Sequence, residues 1–143
     1  MVMAILQEQK PGGPPASTVQ FTDSPALTGR ESKYRTVEVN VDAVLQSWRL
    51  SLLSFEWLTP EGTLRTLDSL PLREREKRLQ VEHLLSTGQK LERPVLGIGL
   101  MDNVEIGGGK AVFMTLAALG YKTLPVHIPV SCEKELKSFL CGS

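Results

Sequence analysis

The stretch from Pro94 to Ile128 constrains the fold more than any other part of the chain. It reads PVLGIGLMDNVEIGGGKAVFMTLAALGYKTLPVHI, which predicts a strand, a tight turn, a short strand, a glycine loop, a helix and a closing strand. In the first strand Gly97 and Gly99 alternate with apolar residues, so one face lacks side chains there. Residues 107–109 are consecutive glycines and precede Lys110 at a strand-to-helix junction. This junction is the first place to look for chemistry.

The helix predicted from Lys110 to Leu119 is apolar almost all round, so we expect it to be buried and to end at Gly120. A helix start carries about half a positive charge, and a lysine there costs roughly 0.3–1 kcal/mol. A phosphate bound at the glycines would remove this cost. The alternative is a left-handed glycine turn whose lysine extends to water. The run matches neither a Walker A loop nor a Rossmann glycine pattern, so it is a weak signal by itself.

Length and composition are those of an ordinary globular domain. The chain has 143 residues, 41% hydrophobic and 22% charged, and a formal net charge of zero. A neutral chain exerts no overall attraction on nucleic acid or an anionic membrane, so any such binding must come from a local patch. No apolar run approaches a membrane span, and the N-terminus does not resemble a secretory signal. Cys132 and Cys141 are predicted to be free thiols in a reducing cytoplasm.

Residues 1–32 are rich in Pro, Gly, Ser and Thr and predict a flexible N-terminal arm, in which Phe21 and Leu27 are able to dock. The remaining residues, 33–143, form the predicted domain. Alternating valines predict a strand over Arg35–Val41.

A helix is predicted next, from Asp42 as its N-cap to about Leu53. Its Trp48, together with Phe55 and Trp57, is predicted to pack in the core or at its edge rather than to stack on nucleic-acid bases.

A second helix is predicted from Leu70 to Gln89, because Pro71 suits its first turn and Gly88 its end. Residues 73–78 are all charged, which favours a solvent-exposed face with Glu–Arg pairs. The alternative is that Arg75 or Arg78 reaches a phosphate held by the glycine loop.

Toward the C-terminus, Leu124–Ile128 predicts the closing strand, with Pro125 placing it at a sheet edge or at a strand start. A last helix is predicted over Cys132–Leu140, capped by Ser131. His83 has no cysteine, histidine or carboxylate pattern around it and is predicted to be structural or at the surface.

The order of these motifs resembles the core of the ParB/sulfiredoxin superfamily. The resemblance covers a helix, an apolar strand and hairpin, the glycine turn, an alanine-rich helix and a closing strand, at Glu76–Leu85, Pro94–Met101, Val104–Lys110, Ala111–Gly120 and Leu124–Ile128. Within the superfamily the chain is most similar to the plasmid fertility-inhibition factors, the group of the oncogenic suppression proteins, and VEVNVDAVLQSW extends the similarity back to about Tyr34. The resemblance implies a compact α/β (α+β) domain, with a small mixed sheet packed with helices, that binds nucleotide and DNA phosphates.

The same resemblance implies a function. Such factors block conjugative or T-DNA transfer through a type IV secretion system, with ATPase and metal-dependent DNase activity. ATP would be the substrate and Mg²⁺ or another divalent cation the cofactor. The partners would be DNA, nucleotide and either the coupling ATPase or the relaxase–DNA complex. The expected location is the cytoplasm, including the inner face of the inner membrane through the secretion machinery. The alternative is a non-catalytic inhibitor that binds and occludes the coupling ATPase, relaxase or DNA.

Specific residues carry this expectation. Glu105 and Lys110 would be catalytic, and Glu105 with Asp102 would hold the metal. Phosphates would be bound by Gly107, Gly108, Gly109, Lys110, Arg75, Arg78 and Arg93. Two departures from the superfamily matter. Gly108 stands where sulfiredoxins have their cysteine, which excludes sulfinic-acid reduction, and Lys110 replaces the arginine of ParB-type loops, losing its bidentate fork.

Overall fold

The main sheet has four strands and is mixed, and helices pack with it, so the chain has the α/β fold that was predicted. The structure, a computed structural model, describes residues 19–141. The strands are β1 Phe21–Thr22, β2 Tyr34–Asn40, β3 Leu91–Glu92, β4 Val95–Ile98, β5 Val104–Gly108 and β6 Thr123–Pro129. The helices are α1 Val41–Trp48, α2 Leu72–Ser86, α3 Lys110–Ala118 and α4 Glu133–Leu136. No helix within the described range is long and apolar enough to cross a membrane.

The strand order is β2-β6-β4-β5, with a separate two-stranded ribbon formed by β1 and β3. Strand β6 runs antiparallel to β2 and parallel to β4, while β4 and β5 form an antiparallel hairpin. Of the two positions predicted for Pro125, a sheet edge is wrong, because β6 lies inside the sheet; Pro125 is the third residue of β6. Its only register pair with β4 is His127 opposite Val95. The His127 amide donates to the Pro94 carbonyl, so it points toward β4. Backbone groups of residues two apart in a strand point to the same side. Pro125 and Pro129, which have no N–H group, therefore leave no donor toward β4 on either side of His127.

Helix α1 begins and ends earlier than predicted. Its N-cap is Asn40, whose side-chain oxygen accepts a hydrogen bond from the Ala43 amide at 2.9 Å, rather than Asp42. It ends at Trp48 instead of Leu53, because the leucines that follow do not face the core: Leu52 is 92% exposed.

Two tryptophans and one phenylalanine were predicted to pack in the core or at its edge. Trp48 and Trp57 are buried in the core, as expected, but Phe55 is 60% exposed. Packing against the core is therefore the wrong role for Phe55.

Helix α2 begins two residues later and ends three residues earlier than predicted, and Gly88 lies just beyond it with a φ of 73°. The predicted C-terminal helix is instead the four-residue α4 between two 3₁₀ turns, and Ser131 does not cap it. Leu136 is nevertheless buried, and Phe139 packs against the core as expected.

Part of the predicted N-terminal arm packs on the domain. Strand β1 pairs with β3, and Leu27 is 3% exposed. Phe21 is partly buried against the core, so both residues named as able to dock do so. The arm therefore differs from prediction over residues 19–32, whereas residues 1–18 lie outside the described part of the chain.

Helix α3 is buried, as its apolar sequence predicts, with five consecutive residues from Val112 to Leu116 at most 6% exposed. Gly109 precedes it in the left-handed conformation, with φ 71°, and Gly120 ends it with φ 97°. A Cβ at Gly109 would lie 2.9 Å from the Pro94 Cα, so only glycine fits there.

Candidate functional site

The glycine run ends β5 and begins α3. The first helical hydrogen bond joins the Phe113 amide to the Gly109 carbonyl at 3.0 Å. The amides of Lys110, Ala111 and Val112 therefore have no partner within the helix. Gly108 packs against Ser24, whose Oγ would be 3.8 Å from a Cβ at that position, whereas Gly107 is exposed. The loop thus has a packed side and an open side.

A cavity of about 540 Å³ adjoins the start of α3. We call it the glycine-loop cavity; its lining comes from β1, α2, β3 and the first turn of α3, and consists of Thr22, Lys77, Gln80, Val81, Leu84, Lys90, Leu91, Glu92, Gly109, Lys110, Ala111 and Val112. Three of these residues are lysines and five have apolar side chains. Its volume lies within the range of small-molecule sites.

Lys110 is bound by carboxylates of its own chain. Its Nζ lies 3.7 Å from Glu56 Oε1 and 3.8 Å from Glu74 Oε1, and its side chain is only 24% exposed. The positive charge at the start of α3 was expected to favour a bound phosphate. These two carboxylates supply negative charge there without a ligand.

Glu74 is the buried centre of this cluster, at 3% exposure. It accepts a hydrogen bond from the Trp57 indole at 2.9 Å, and Lys77 Nζ lies 3.5 Å from its other oxygen. Burial raises its pKa, but the Trp57 hydrogen bond and the charges of Lys110 and Lys77 outweigh burial, so the pKa is lowered. Glu74 is therefore a buried carboxylate.

Glu74 was predicted to lie on a solvent-exposed face, and this prediction is wrong. The missed signal is its helical spacing, because a residue seven positions before the buried Val81 lies on the same face. A buried indole N–H also needs an acceptor, and Trp57 had none assigned.

Glu105 is held at the opposite end of β5. Its Oε1 accepts a hydrogen bond from Ser51 Oγ at 2.8 Å and its Oε2 one from Asn103 Nδ2 at 2.9 Å. A Cβ on Gly99 would come within 2.7 Å of its Cγ, so the bare face of β4 accommodates this side chain. Within residues 19–141, the two predicted catalytic residues, Glu105 and Lys110, share no hydrogen-bond or ion-pair partner.

Asp102 lies in the β4–β5 turn, with φ 60°, and its amide donates to the Gly99 carbonyl at 3.0 Å. It is exposed, while Glu105 is engaged with Ser51 and Asn103. Among residues 19–141 there is no group of three or more His, Cys, Asp or Glu side chains placed to hold a metal ion. Glu105 and Asp102 stay a predicted pair of metal ligands.

The three predicted phosphate-binding arginines lie outside the lining of the glycine-loop cavity. Arg75 donates to the carbonyls of residues 68 and 70, and Arg78 pairs with Glu82 at 2.8 Å. Arg93 pairs with Asp23 at 2.6 Å. Lys77 and Lys90, which were not among the predicted site residues, line the cavity instead. Lys77 is four residues before Val81, so helical spacing could have identified it.

His127 was also overlooked, and it joins the N-terminal segment to the sheet. It is 2% exposed; its Nε2 accepts from the Ser24 amide at 3.3 Å and its Nδ1 lies 3.1 Å from Thr36 Oγ1. Burial lowers its pKa, Asp23 raises it and Arg93 lowers it, and the net direction is down. The neutral imidazole therefore connects residues 23–24 with β2 and β6. His83, by contrast, is exposed.

Comparisons of the chain with protein-family models, with curated proteins and with solved structures found no match, so its resemblance to a family rests on its sequence motifs.

Proposed function

We propose that this chain binds a nucleotide in the glycine-loop cavity and acts as a plasmid fertility-inhibition factor of the ParB/sulfiredoxin superfamily. Its role would be to block conjugative or T-DNA transfer through a type IV secretion system. ATP is the ligand that the sequence resemblance favours.

The observation that carries nucleotide binding is the composition of the cavity wall. Lys77, Lys90 and the free amides of the α3 start supply positive charge and N–H donors for phosphates. Val81, Leu84 and Leu91 supply an apolar surface suited to a base. Lys90 has no ion-pair partner within residues 19–141, so its charge is available to a ligand.

ATP hydrolysis and DNA cleavage belong to the same proposal but have less support. Lys110 is paired with Glu56 and Glu74, and both Glu105 oxygens accept hydrogen bonds. Either residue would have to exchange these partners to act on a phosphate. A divalent cation arriving with ATP would neutralise phosphate charge. Because the contacts of Glu105 and Asp102 do not build a site for the cation, no catalytic step is assigned to it.

Isothermal titration with ATP, in Mg²⁺ and again in EDTA, tests nucleotide binding. We expect Lys77→Ala and Lys90→Ala each to weaken affinity about tenfold, which corresponds to roughly 1.4 kcal/mol for one charged contact. Lys33→Ala is the matched control, since Lys33 is exposed and outside the cavity, and it should bind like wild type. Absence of binding, or equal affinity in all four proteins, would refute the proposal.

A second candidate is a non-catalytic inhibitor that occludes the coupling ATPase, the relaxase or DNA. The observation that favours it is that Glu105 and Lys110 are each held by internal partners. It is tested by measuring conjugation in cells that express the Lys77→Ala, Lys90→Ala double variant. Transfer that stays inhibited after nucleotide binding is lost supports occlusion, whereas restored transfer supports the nucleotide-dependent function.

A further inference from the structure

A second cavity, of about 290 Å³, lies beside the loop that follows α1. We call it the Arg49–Arg65 cavity, and its wall includes Arg49, Leu50, Phe55, Leu58, Pro60 and Arg65. It shares no lining residue with the glycine-loop cavity. It therefore needs an explanation separate from nucleotide binding.

The apolar part of this wall is exposed to an unusual degree. Leu50 is 58% exposed and Phe55 is 60% exposed, while Leu58 beneath them is 3% exposed. Scattered exposed leucines are normal, but an aromatic and an aliphatic side chain beside a cavity resemble the anchors of a binding site.

The charged part of the wall is positive. Arg49 donates to the Gln46 side chain at 3.3 Å and Arg65 to the Phe55 carbonyl at 2.8 Å. Neither guanidinium has a carboxylate partner within residues 19–141. Glu61 is the exposed acidic residue in the neighbouring turn. The guanidinium groups thus remain available to an anionic partner.

The wall is held in place by its own hydrogen bonds. Ser54 Oγ donates to the Arg49 carbonyl at 2.8 Å, and the Arg65 amide donates to the Trp57 carbonyl at 2.8 Å. Leu58 forms a β-bridge with Leu64 across the turn. A cavity fixed in this way loses little conformational entropy on binding.

We propose that the Arg49–Arg65 cavity docks an acidic peptide segment of a partner protein. One leucine or phenylalanine of the peptide would enter between Leu50, Phe55 and Leu58, and flanking carboxylates would pair with the two arginines. Charge complementarity selects an acidic partner. A nucleic-acid backbone fits less well, because the exposed leucine and phenylalanine would lie against phosphates. The wall of the Arg49–Arg65 cavity is also much smaller than the roughly 800 Å² that each partner buries in a stable dimer.

Fluorescence anisotropy tests this with a labelled twelve-residue peptide that has a central Leu-Phe pair flanked by glutamates. The comparison probes are the same peptide with lysines for glutamates and a labelled single-stranded DNA of twelve nucleotides. We expect the acidic peptide to bind wild type at least tenfold more tightly than either comparison probe. Equal binding of the acidic and basic peptides, or preferred binding of the DNA, would overturn the proposal.

Substitutions in the Arg49–Arg65 cavity test whether the acidic peptide binds there. Arg49→Glu and Arg65→Glu should each weaken acidic-peptide binding about tenfold and reduce its salt dependence, because each replaces an attraction by a repulsion. Phe55→Ser tests the apolar half without disturbing the core, since Phe55 is mostly exposed. Arg73→Glu, at an exposed position on α2, is the matched control and should bind like wild type. If Phe55→Ser and both arginine variants bind like the control, the cavity is not the docking site.

Discussion

The charged residues at the two ends of β5 have different kinds of partner. At the hairpin end, Glu105 is held by neutral groups, a hydroxyl and an amide. At the glycine end, the chain reaches Lys110, which is held by carboxylates, one of them almost fully buried. The partners of Glu105 carry no charge, so they do not balance its negative charge, whereas Glu56 and Glu74 balance the positive charge of Lys110. Charges close in sequence therefore belong to separate clusters, and the glycine end is the more tightly coupled.

Of the substitutions at the two ends of β5, we expect one at Glu74 to lower the free energy of unfolding most. Glu74→Ala removes the acceptor of the Trp57 indole and one carboxylate partner of Lys110, so we expect a loss of about 3 kcal/mol in the free energy of unfolding. Urea denaturation measures it. Glu76→Ala, on the exposed side of the same helix, should change stability by no more than about 0.5 kcal/mol. Similar losses for the two variants would show that the Glu74 cluster contributes little.

Gly109→Ala should be next, at about 2 kcal/mol, because alanine would be strained at φ 71° and its Cβ would meet the Pro94 backbone. The matched control is Gly107→Ala, since a Cβ there has its nearest neighbour at 3.7 Å. Thermal unfolding of the two variants shows whether glycine is needed only at position 109, for its positive φ and its contact with Pro94, or throughout the loop. If Gly107→Ala is as destabilising as Gly109→Ala, the loop is constrained by something other than the Pro94 contact.

At the hairpin end we expect smaller effects. Glu105→Ala should cost about 1 kcal/mol, because it breaks hydrogen bonds to neutral partners at a partly exposed site. A double-mutant cycle with Ser51→Ala should give a coupling energy of about 0.5–1 kcal/mol. Coupling of Glu105 with Lys110 should be close to zero. A large Glu105–Lys110 coupling would restore the single catalytic site that the sequence predicted.

The smallest effect is a pH dependence from His127. Its folded pKa lies below the ordinary 6.5, so the folded state favours the neutral ring. Its stabilising contribution is present above pH 6.5 and is lost as pH falls, because the unfolded chain binds the proton first. Denaturation between pH 7.5 and 5.5 should show a decline in wild type that is absent in His127→Gln. The exposed His83→Gln should keep the wild-type decline, and a profile unchanged by His127→Gln would contradict this.

Glu74 titrates in a lower pH range. Its folded pKa is also lowered, from 4.5, so its contribution is present above pH 4.5 and is lost as pH falls further. The stability changes caused by His127 and by Glu74 therefore occur in different pH ranges.

Local patterns predicted the elements around the glycine loop well. Apolar runs and glycines are features of neighbouring residues in the sequence, and they predicted β4, β5, α3 and the end of α3 at Gly120. The left-handed conformation of Gly109 agrees with the glycine turn that was the alternative to a phosphate loop. What failed depends on contacts distant in sequence. Glu74 accepts its hydrogen bond from Trp57 on another segment, and β6 is internal because it pairs with β4 as well as with β2. No local pattern predicts the pairing of β6 with β4, whereas the helical spacing between Glu74 and Val81 does indicate that Glu74 is buried.

The candidate site divides in the same way. Local patterns located the glycine run and Lys110, and helical spacing relates Lys77 to Val81 in the same way. Lys90 lines the same cavity only because the chain beside β3 packs near the start of α3. Arg75, Arg78 and Arg93, which were predicted to bind phosphates, lie outside the lining of the glycine-loop cavity, and each contacts a carboxylate or a carbonyl.

The most direct test of nucleotide binding at the glycine end is an amide chemical-shift titration of the ¹⁵N-labelled chain with ATP. We predict shifts concentrated at the amides of Gly109, Lys110 and Ala111 and around Lys77 and Lys90, with Glu105 and the β4–β5 turn unchanged. Shifts absent from the α3 start, or concentrated at the Glu105 end of β5, would contradict the account.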